Sequence, residues 1–203
     1  EQARPVNKSE RIGVYGGTFD PVHNTHIAIA RAALDFARLD RVLFVVAAQP
    51  PHKRNEVYAD AEDRWSLVCA AVAGEPGMEA SRMEIDRHGL SFTIDTLRAL
   101  QSQIPASELF LIVGYDSLVE LPGWREPEAI LNCARLLAVP RPGVAPAIPK
   151  SLEGRFDLLP FYPNDLSSTE IRRRIAEGES VSGMVPPPVE DLIRRKGLYH
   201  APA

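Results

Sequence analysis

The stretch Gly13-Val14-Tyr15-Gly16-Gly17-Thr18-Phe19-Asp20-Pro21-Val22-His23-Asn24-Thr25-His26 restricts this chain more than any other part of it. Ile12, Val14 and Tyr15 read as the end of a buried strand. The Gly16-Gly17 pair is expected to let the backbone turn sharply and approach a ligand with no Cβ in the way. From about Asn24 apolar residues recur at helical spacing (Ile27, Ala30, Ala33 with Leu34, Ala37), so the loop delivers the chain to a helix N-terminus. Free N–H groups and the macrodipole favour an anion there. His23 and His26 stand one helical turn apart and can face the same ligand. The stretch reads as a phosphate cradle. Two better-known phosphate loops are excluded by inspection, since no Gly-Lys-Ser/Thr is present and the glycines do not fall in G-x-G-x-x-G spacing.

The remaining pattern is that of an α/β domain with a parallel sheet. Arg41 to Ala48 is a near-continuous apolar run, as expected of a parallel strand covered on both faces. It ends at Gln49-Pro50-Pro51-His52-Lys53-Arg54, a loop that carries cations to the carboxyl edge of the sheet, where open α/β folds bind ligands. Asp60 to Ala73 reads as a helix with Trp65, Leu67, Val68 and Val72 on its apolar face. Met83 to Asp86 reads as a short strand. A helix is expected from Thr93 through Leu97, Leu100 and Ile104, capped by Ser91 or Thr93. Leu109 to Val113 is the next buried strand, and Gly114-Tyr115-Asp116 follows it directly. A small residue and a carboxylate there suit a ribose diol; the alternative has Asp116 capping a helix over Ser117 to Leu121. Trp124, in a turn near the same edge, either stacks on a planar heterocycle or packs into the core. Ala134 to Val139 and Phe156 to Leu159 supply further strands, with a proline-rich loop from Pro140 to Lys150.

A second anion site is written at Leu166-Ser167-Ser168-Thr169-Glu170-Ile171-Arg172. Ser167 and Glu170 are spaced as a capping box. Ser168, Thr169 and their amides open another helix N-terminus, and Arg172 lies one turn beyond Ser168 on the same side, a convergence suited to polyphosphate. Arg174 is expected to pair with Glu170. Val189 to Lys196 reads as a closing helix.

Composition narrows the classes. A chain of 203 residues suits one sizeable core, and no apolar run reaches the roughly 20 residues needed to span a bilayer. No leader peptide is visible. Residues 1–10 are polar and aperiodic and read as a disordered extension, leaving 11–203 as a single domain. A formal charge of -4 argues against a protein whose task is coating nucleic acid. Cys69 and Cys133 stand alone, read as small buried residues in a reducing cytoplasm.

On these motifs the chain resembles the nucleotidyltransferase superfamily. The string Gly-Gly-Thr-Phe-Asp-Pro-x-His-x-x-His and the Ser167-Ser168-Thr169-x-x-Arg172 segment carry the resemblance. Thr93 in a Thr-x-Asp-Thr segment and Trp124 in Leu-Pro-x-Trp are similar to the branch that uses nicotinate mononucleotide. The likeness runs from Arg11 to Tyr199. One departure is Thr25, where the family normally has Gly, which would narrow the space above the phosphates.

The resemblance implies a single Rossmann-like domain, a mostly parallel sheet with helices on both faces and a small helical C-terminal part. It implies transfer of the adenylyl group of ATP to nicotinate mononucleotide, giving deamido-NAD and pyrophosphate. His23, His26, Lys53 and Arg172 are then the catalytic set. Gly16, Gly17, Thr18, Phe19, Gly114, Asp116, Ser168 and Thr169 join the histidines and Arg172 on ATP, and Thr93, Trp124, Arg125 and Lys53 meet the acceptor. Magnesium would be bound mainly through the ATP phosphates, with no protein metal ligand. Neither nucleic acid nor membrane is an expected partner, and a homo-oligomer is left open. Two other readings stand beside it: another phosphorylated acceptor, nicotinamide mononucleotide or phosphopantetheine, or a nucleotide sensor without turnover. The residues agree with the first on one point. They contain no Ser-His-Asp set or nucleophilic cysteine, and an acceptor phosphate, with a second pKa of about 6, needs no general base at neutral pH.

Overall fold

In the computed structural model, which describes residues 9–49, 57–141, 143, 148–162 and 164–200, the apolar runs assemble into one parallel sheet. Its strands are β1 (Arg11–Gly17), β2 (Arg41–Val46), β3 (Met78–Ser81), β4 (Glu108–Gly114), β5 (Ala134–Val139) and β6 (Phe156–Leu158), in the spatial order β3-β2-β1-β4-β5-β6. All five strand pairings are parallel, with Val14 opposite Leu43 on one side and Leu111 on the other. The helices are α1 (Asn24–Ala37), α2 (Ala61–Val72), α3 (Met83–Arg87), α4 (Thr93–Gln103), α5 (Tyr115–Glu120), α6 (Pro127–Cys133), α7 (Ser168–Ala176) and α8 (Pro187–Lys196).

Strand side chains alternate between the two faces, and both faces are covered, which is why the strands read as unbroken apolar runs. Val42, Phe44 and Val46 of β2 join Tyr15, Phe110 and Ile112 in a core closed by α1, α2, α7 and α8. Val14, Leu43, Val45, Leu109, Leu111 and Val113 form the opposite core with residues of α4, α5 and α6. Each fully buried side chain of this kind stabilises the fold by about 1.5–3 kcal/mol. The strand order reverses between β1 and β4. In such sheets ligands bind in the crevice outside the carboxyl ends of the strands at that point.

Three local expectations are corrected. Met83 to Asp86 belongs to the short helix α3, and the strand expected there is Met78–Ser81; Glu84 and Ile85 are buried from a helix, a pattern too short to separate the two periods. Helix α4 is not capped by Ser91 or Thr93. Its N-cap is Phe92 with no side-chain cap, and Ser91 Oγ instead accepts the Ala48 N–H at 3.0 Å. Cys69 and Cys133 are free thiols but only partly buried. The chain already engages the fold at Glu10, whose carbonyl accepts the Glu108 N–H.

Candidate active site

Two cavities open at the carboxyl edge, on either side of a common wall made by Tyr15, Gly16, Gly17, Thr18, Gly114 and Ser117. One, about 680 Å³, is polar. His23, His26, Asp116, Ser168, Thr169 and Arg172 line it, together with Thr25, Arg141 and Asn164. The other, about 620 Å³, is lined by Thr93, Trp124 and Arg125, with Phe92, Glu84 and Ser91. The sheet thus brings together every sequence-predicted site residue that is described. Lys53 lies outside the described residues.

The loop after β1 is built differently from the expectation. Gly16 and Gly17 are still strand, and the left-handed residue that makes the turn is Phe19, with φ 51°. Gly17 is small for a packing reason: a Cβ there would stand 2.9 Å from the Phe19 ring. Gly16 faces open space on the common wall, where a ligand can approach the backbone. The Phe19 side chain is buried, its ring edge-on to Tyr15 and His26 with centroids 5.7 and 5.1 Å apart.

His23 is the N-cap residue of α1, and its backbone N–H donates to His26 Nδ1 at 3.1 Å. That bond makes Nδ1 the acceptor, so the neutral His26 ring carries its proton on Nε2. The two imidazoles stack with centroids 3.7 Å apart. Burial lowers the His23 pKa to about 4, and burial followed by the neighbouring His23 holds His26 well below its ordinary value. Both histidines are therefore uncharged at neutral pH, hydrogen-bonding groups and not cations.

The segment expected as a second anion site also departs in detail. Ser167 caps α7 by accepting the Glu170 N–H at 3.2 Å, but the other half of the capping box is not made. The Glu170 carboxylate turns to Arg173 and to the predicted partner Arg174, whose hydrogen bonds hold its pKa down to about 2. Ser168 Oγ donates to the Pro21 carbonyl at 2.9 Å, and Arg172 donates to the Asp20 carbonyl at 2.7 Å and to Thr169 Oγ1 at 3.2 Å. The Arg172 guanidinium also lies 4.2 Å over the Tyr58 ring. The segments that open α1 and α7, far apart in sequence, are tied directly to each other.

Asp116 does not cap a helix. Gly114 occupies the N-cap of α5, and Arg141 Nη1 donates to both Asp116 oxygens, at 2.9 and 3.1 Å, at the mouth of the polar cavity. Trp124 packs against the core of its face and also lines the second cavity, where Nε1 is buried with no hydrogen-bond partner among the described residues. Arg125 stacks on Phe92 at 4.8 Å and lies 3.6 Å from Asp95. Glu84 is a buried carboxylate whose pKa is raised by burial, against hydrogen bonds from Thr96 and Ser91.

Sequence reasoning passed over the group that holds the wall in place. Arg64, 1% exposed, donates to the carbonyls of Ala59, Thr18, Ala47 and Ala48. The nearby Asp20 carboxylate accepts the N–H groups of Tyr58 and Ala59 and the Tyr199 hydroxyl, at 2.7, 3.1 and 2.7 Å. An arginine on the apolar side of α2 was the one available signal.

The cytidylyltransferase-like family model matches residues 14–174. A protein of Thermus thermophilus named a probable nicotinate-nucleotide adenylyltransferase is 44% identical over 191 residues, 93% of this chain and 99% of that protein. One of the same name from Gloeobacter violaceus is 42% identical over 203 residues, 96% and 98% of the two chains. The nicotinic acid mononucleotide adenylyltransferase of Plasmodium falciparum, complexed with NaAD, superposes with a TM-score of 0.75 at 16% identity, covering 94% of this chain and 97% of that one, and so bears on the fold alone. Together with the sheet order and the paired cavities, these likenesses decide the matter: the chain belongs to the nicotinate-nucleotide adenylyltransferase family, within the cytidylyltransferase-like nucleotidyltransferases.

Proposed function

We infer that this chain transfers the adenylyl group of ATP to nicotinate mononucleotide, releasing pyrophosphate and forming deamido-NAD. The observation that carries the reading is the common wall: Gly16, Gly17, Thr18 and Gly114 separate a polar cavity from one furnished with Trp124 and Phe92, so two ligands can meet across it. ATP occupies the polar cavity, its phosphates between the N-termini of α1 and α7, and the pyridine ring of the acceptor lies against Trp124 beside Thr93.

The acceptor phosphate oxygen attacks the α-phosphorus of ATP. A new P–O bond forms, the bond from the α-phosphorus to the bridging oxygen breaks, and pyrophosphate leaves with that electron pair. No proton has to move, because the acceptor phosphate is largely dianionic at neutral pH. The protein's work is then orientation and charge stabilisation. His26 Nε2–H is a neutral donor, the amides at the start of α1 and α7 add their dipoles, and Arg172 has donors left beyond its bonds to Asp20 and Thr169. Lys53 is proposed as a further phosphate contact on its sequence position. Magnesium would be carried in on the ATP phosphates, with Asp116 a carboxylate lining that cavity. Magnesium would neutralise charge on the departing pyrophosphate. The reading places the protein in the cytoplasm.

The test is pyrophosphate release from MgATP with nicotinate mononucleotide and nicotinamide mononucleotide as separate acceptors. Fast release with the acid and slow release with the amide is the expected result. Release only with a different phosphorylated acceptor would move the substrate assignment, and none with any acceptor would overturn the activity.

A further inference from the structure

Thr25 sits in the first turn of α1 between the two histidines, at the position where the family normally has glycine. It is 7% exposed, and its hydroxyl donates to Asn164 Oδ1 at 2.5 Å. Asn164 lies three residues before the Ser167 cap of α7. Both side chains line the polar cavity, and neither lines the acceptor cavity.

Two other bonds tie the same segments, and both use groups that a polyphosphate would claim. Ser168 Oγ is spent on the Pro21 carbonyl and Arg172 on the Asp20 carbonyl. Ser168 has a single O–H, so turning to a bound phosphate releases its tie, and the Arg172 guanidinium has to share its donors between Asp20 and the phosphate. The Thr25–Asn164 bond draws on none of the phosphate donors, so it can persist through nucleotide binding.

We propose that Thr25 and Asn164 form a positioning pair that fixes the distance between the two phosphate-binding helix N-termini before ATP arrives, and so sets the affinity for ATP. The ordering cost that an untied pair of segments would meet on binding is removed in advance. The threonine side chain also occupies space that glycine would leave open, so the pair exchanges room in the cavity for rigidity. This rests on the reading that the polar cavity takes ATP.

The test measures MgATP binding by titration calorimetry, alongside steady-state KM values for both substrates. Thr25→Val keeps the shape and removes the hydroxyl; the loss of one such hydrogen bond is expected to weaken ATP binding about 3- to 10-fold. Thr25→Ser restores it. Asn164→Ala weakens it by the same factor, and the double variant Thr25→Val/Asn164→Ala is no worse than either single one, since both remove one bond. The KM for ATP rises while the KM for the acceptor stays within about twofold, a split that a merely destabilised fold would not give. Thr25→Gly also binds ATP more weakly, despite the room it opens. Wild-type ATP affinity in Thr25→Val, additive losses in the double variant, an equal rise in both KM values, or tighter binding by Thr25→Gly would each overturn the proposal. Calorimetry keeps the two readings apart: a wild-type protein that binds MgATP but releases no pyrophosphate defeats the assigned activity and leaves the positioning pair to be judged on affinity.

Discussion

Replacing Arg64 by Met is the sharpest single probe of how this site is held. The guanidinium is 1% exposed, and four carbonyls from three separate segments converge on it: Thr18 after β1, Ala47 and Ala48 after β2, and Ala59 before α2. Burial lowers its pKa, and the charge of Asp20, itself buried, favours keeping it protonated. Methionine fills a comparable volume but leaves the four carbonyls without their donor. Each buried carbonyl left unsatisfied costs about 1–3 kcal/mol, so losing all four bonds should cost about 3–5 kcal/mol or more, a large share of the roughly 5–15 kcal/mol that holds a domain folded. With a urea slope of roughly 2–3 kcal/mol per molar, the unfolding midpoint should drop by about 1–2 M. Arg64→Lys keeps the charge with three donors instead of five and should fall between the two. Thr18 and Ala47 both line a cavity, so catalytic efficiency should decline even well below the unfolding midpoint. An Arg64→Met protein within about 1 kcal/mol of wild type would refute the account, since its whole weight rests on four buried carbonyls left without a donor.

The two glycines of the common wall should part company. Gly17→Ala puts a Cβ 2.9 Å from the Phe19 ring and should cost about 1–3 kcal/mol of stability by thermal or urea unfolding, whereas Gly16→Ala meets nothing within 4 Å, should unfold as wild type does, and should lose affinity for a ligand. Trp124→Ala should raise the KM for the pyridine nucleotide well above any change in the KM for ATP, because Trp124 lines the second cavity and not the polar one. Stability should fall in mild acid: with His23 at about 4 folded and 6.5 unfolded, the unfolded chain takes up the proton first, so stability is intact above pH 6.5 and declines by roughly 3 kcal/mol as pH drops toward 4. His26 acts in the same direction, and urea midpoints for wild type and His23→Gln across that range would show the difference.

The sheet was legible because a parallel strand buried on both faces must be apolar at nearly every position, and Arg41–Val46, Glu108–Gly114 and Ala134–Val139 all carry that run. Met78–Ser81 was not: β3 lies at the edge of the sheet, is four residues long and buries only Met78 fully, so it has no periodic signal to give. The site was legible in its grouping, since the Gly, His, Ser and Thr residues that the sequence puts at two helix starts line one cavity. What stayed hidden is what depends on contacts between distant segments. Nothing in the sequence says that the carbonyls of Thr18 and Ala47 will need Arg64, that Tyr199 will reach Asp20 from near the end of the chain, or that Asp116 will find Arg141. Gly17 was misread for a related reason: it is small because of the Phe19 ring two residues on, a clash that exists only once Phe19 adopts its left-handed turn.

The histidine pair has a consequence for the pH dependence of turnover. A site for a polyanion is commonly pictured as a cluster of cations, yet these two imidazoles, with centroids 3.7 Å apart, are held neutral at pH 7 by burial, His26 further by the neighbouring His23. A neutral Nε2–H aimed by its own backbone partner is already oriented and gives up no proton, which suits a step whose demand is stabilisation of charge on phosphate oxygens. The acid limb of kcat/KM should then report the acceptor phosphate, with its second pKa of about 6, and not a histidine. From about pH 7 to 9 the profile should be flat, because no group in the step has to deliver a proton to pyrophosphate. A descending limb in that range, shifted or abolished by His26→Gln in a protein that still binds ATP, would mean that His26 works as a general acid in its charged form, and the neutral-donor mechanism would have to be abandoned.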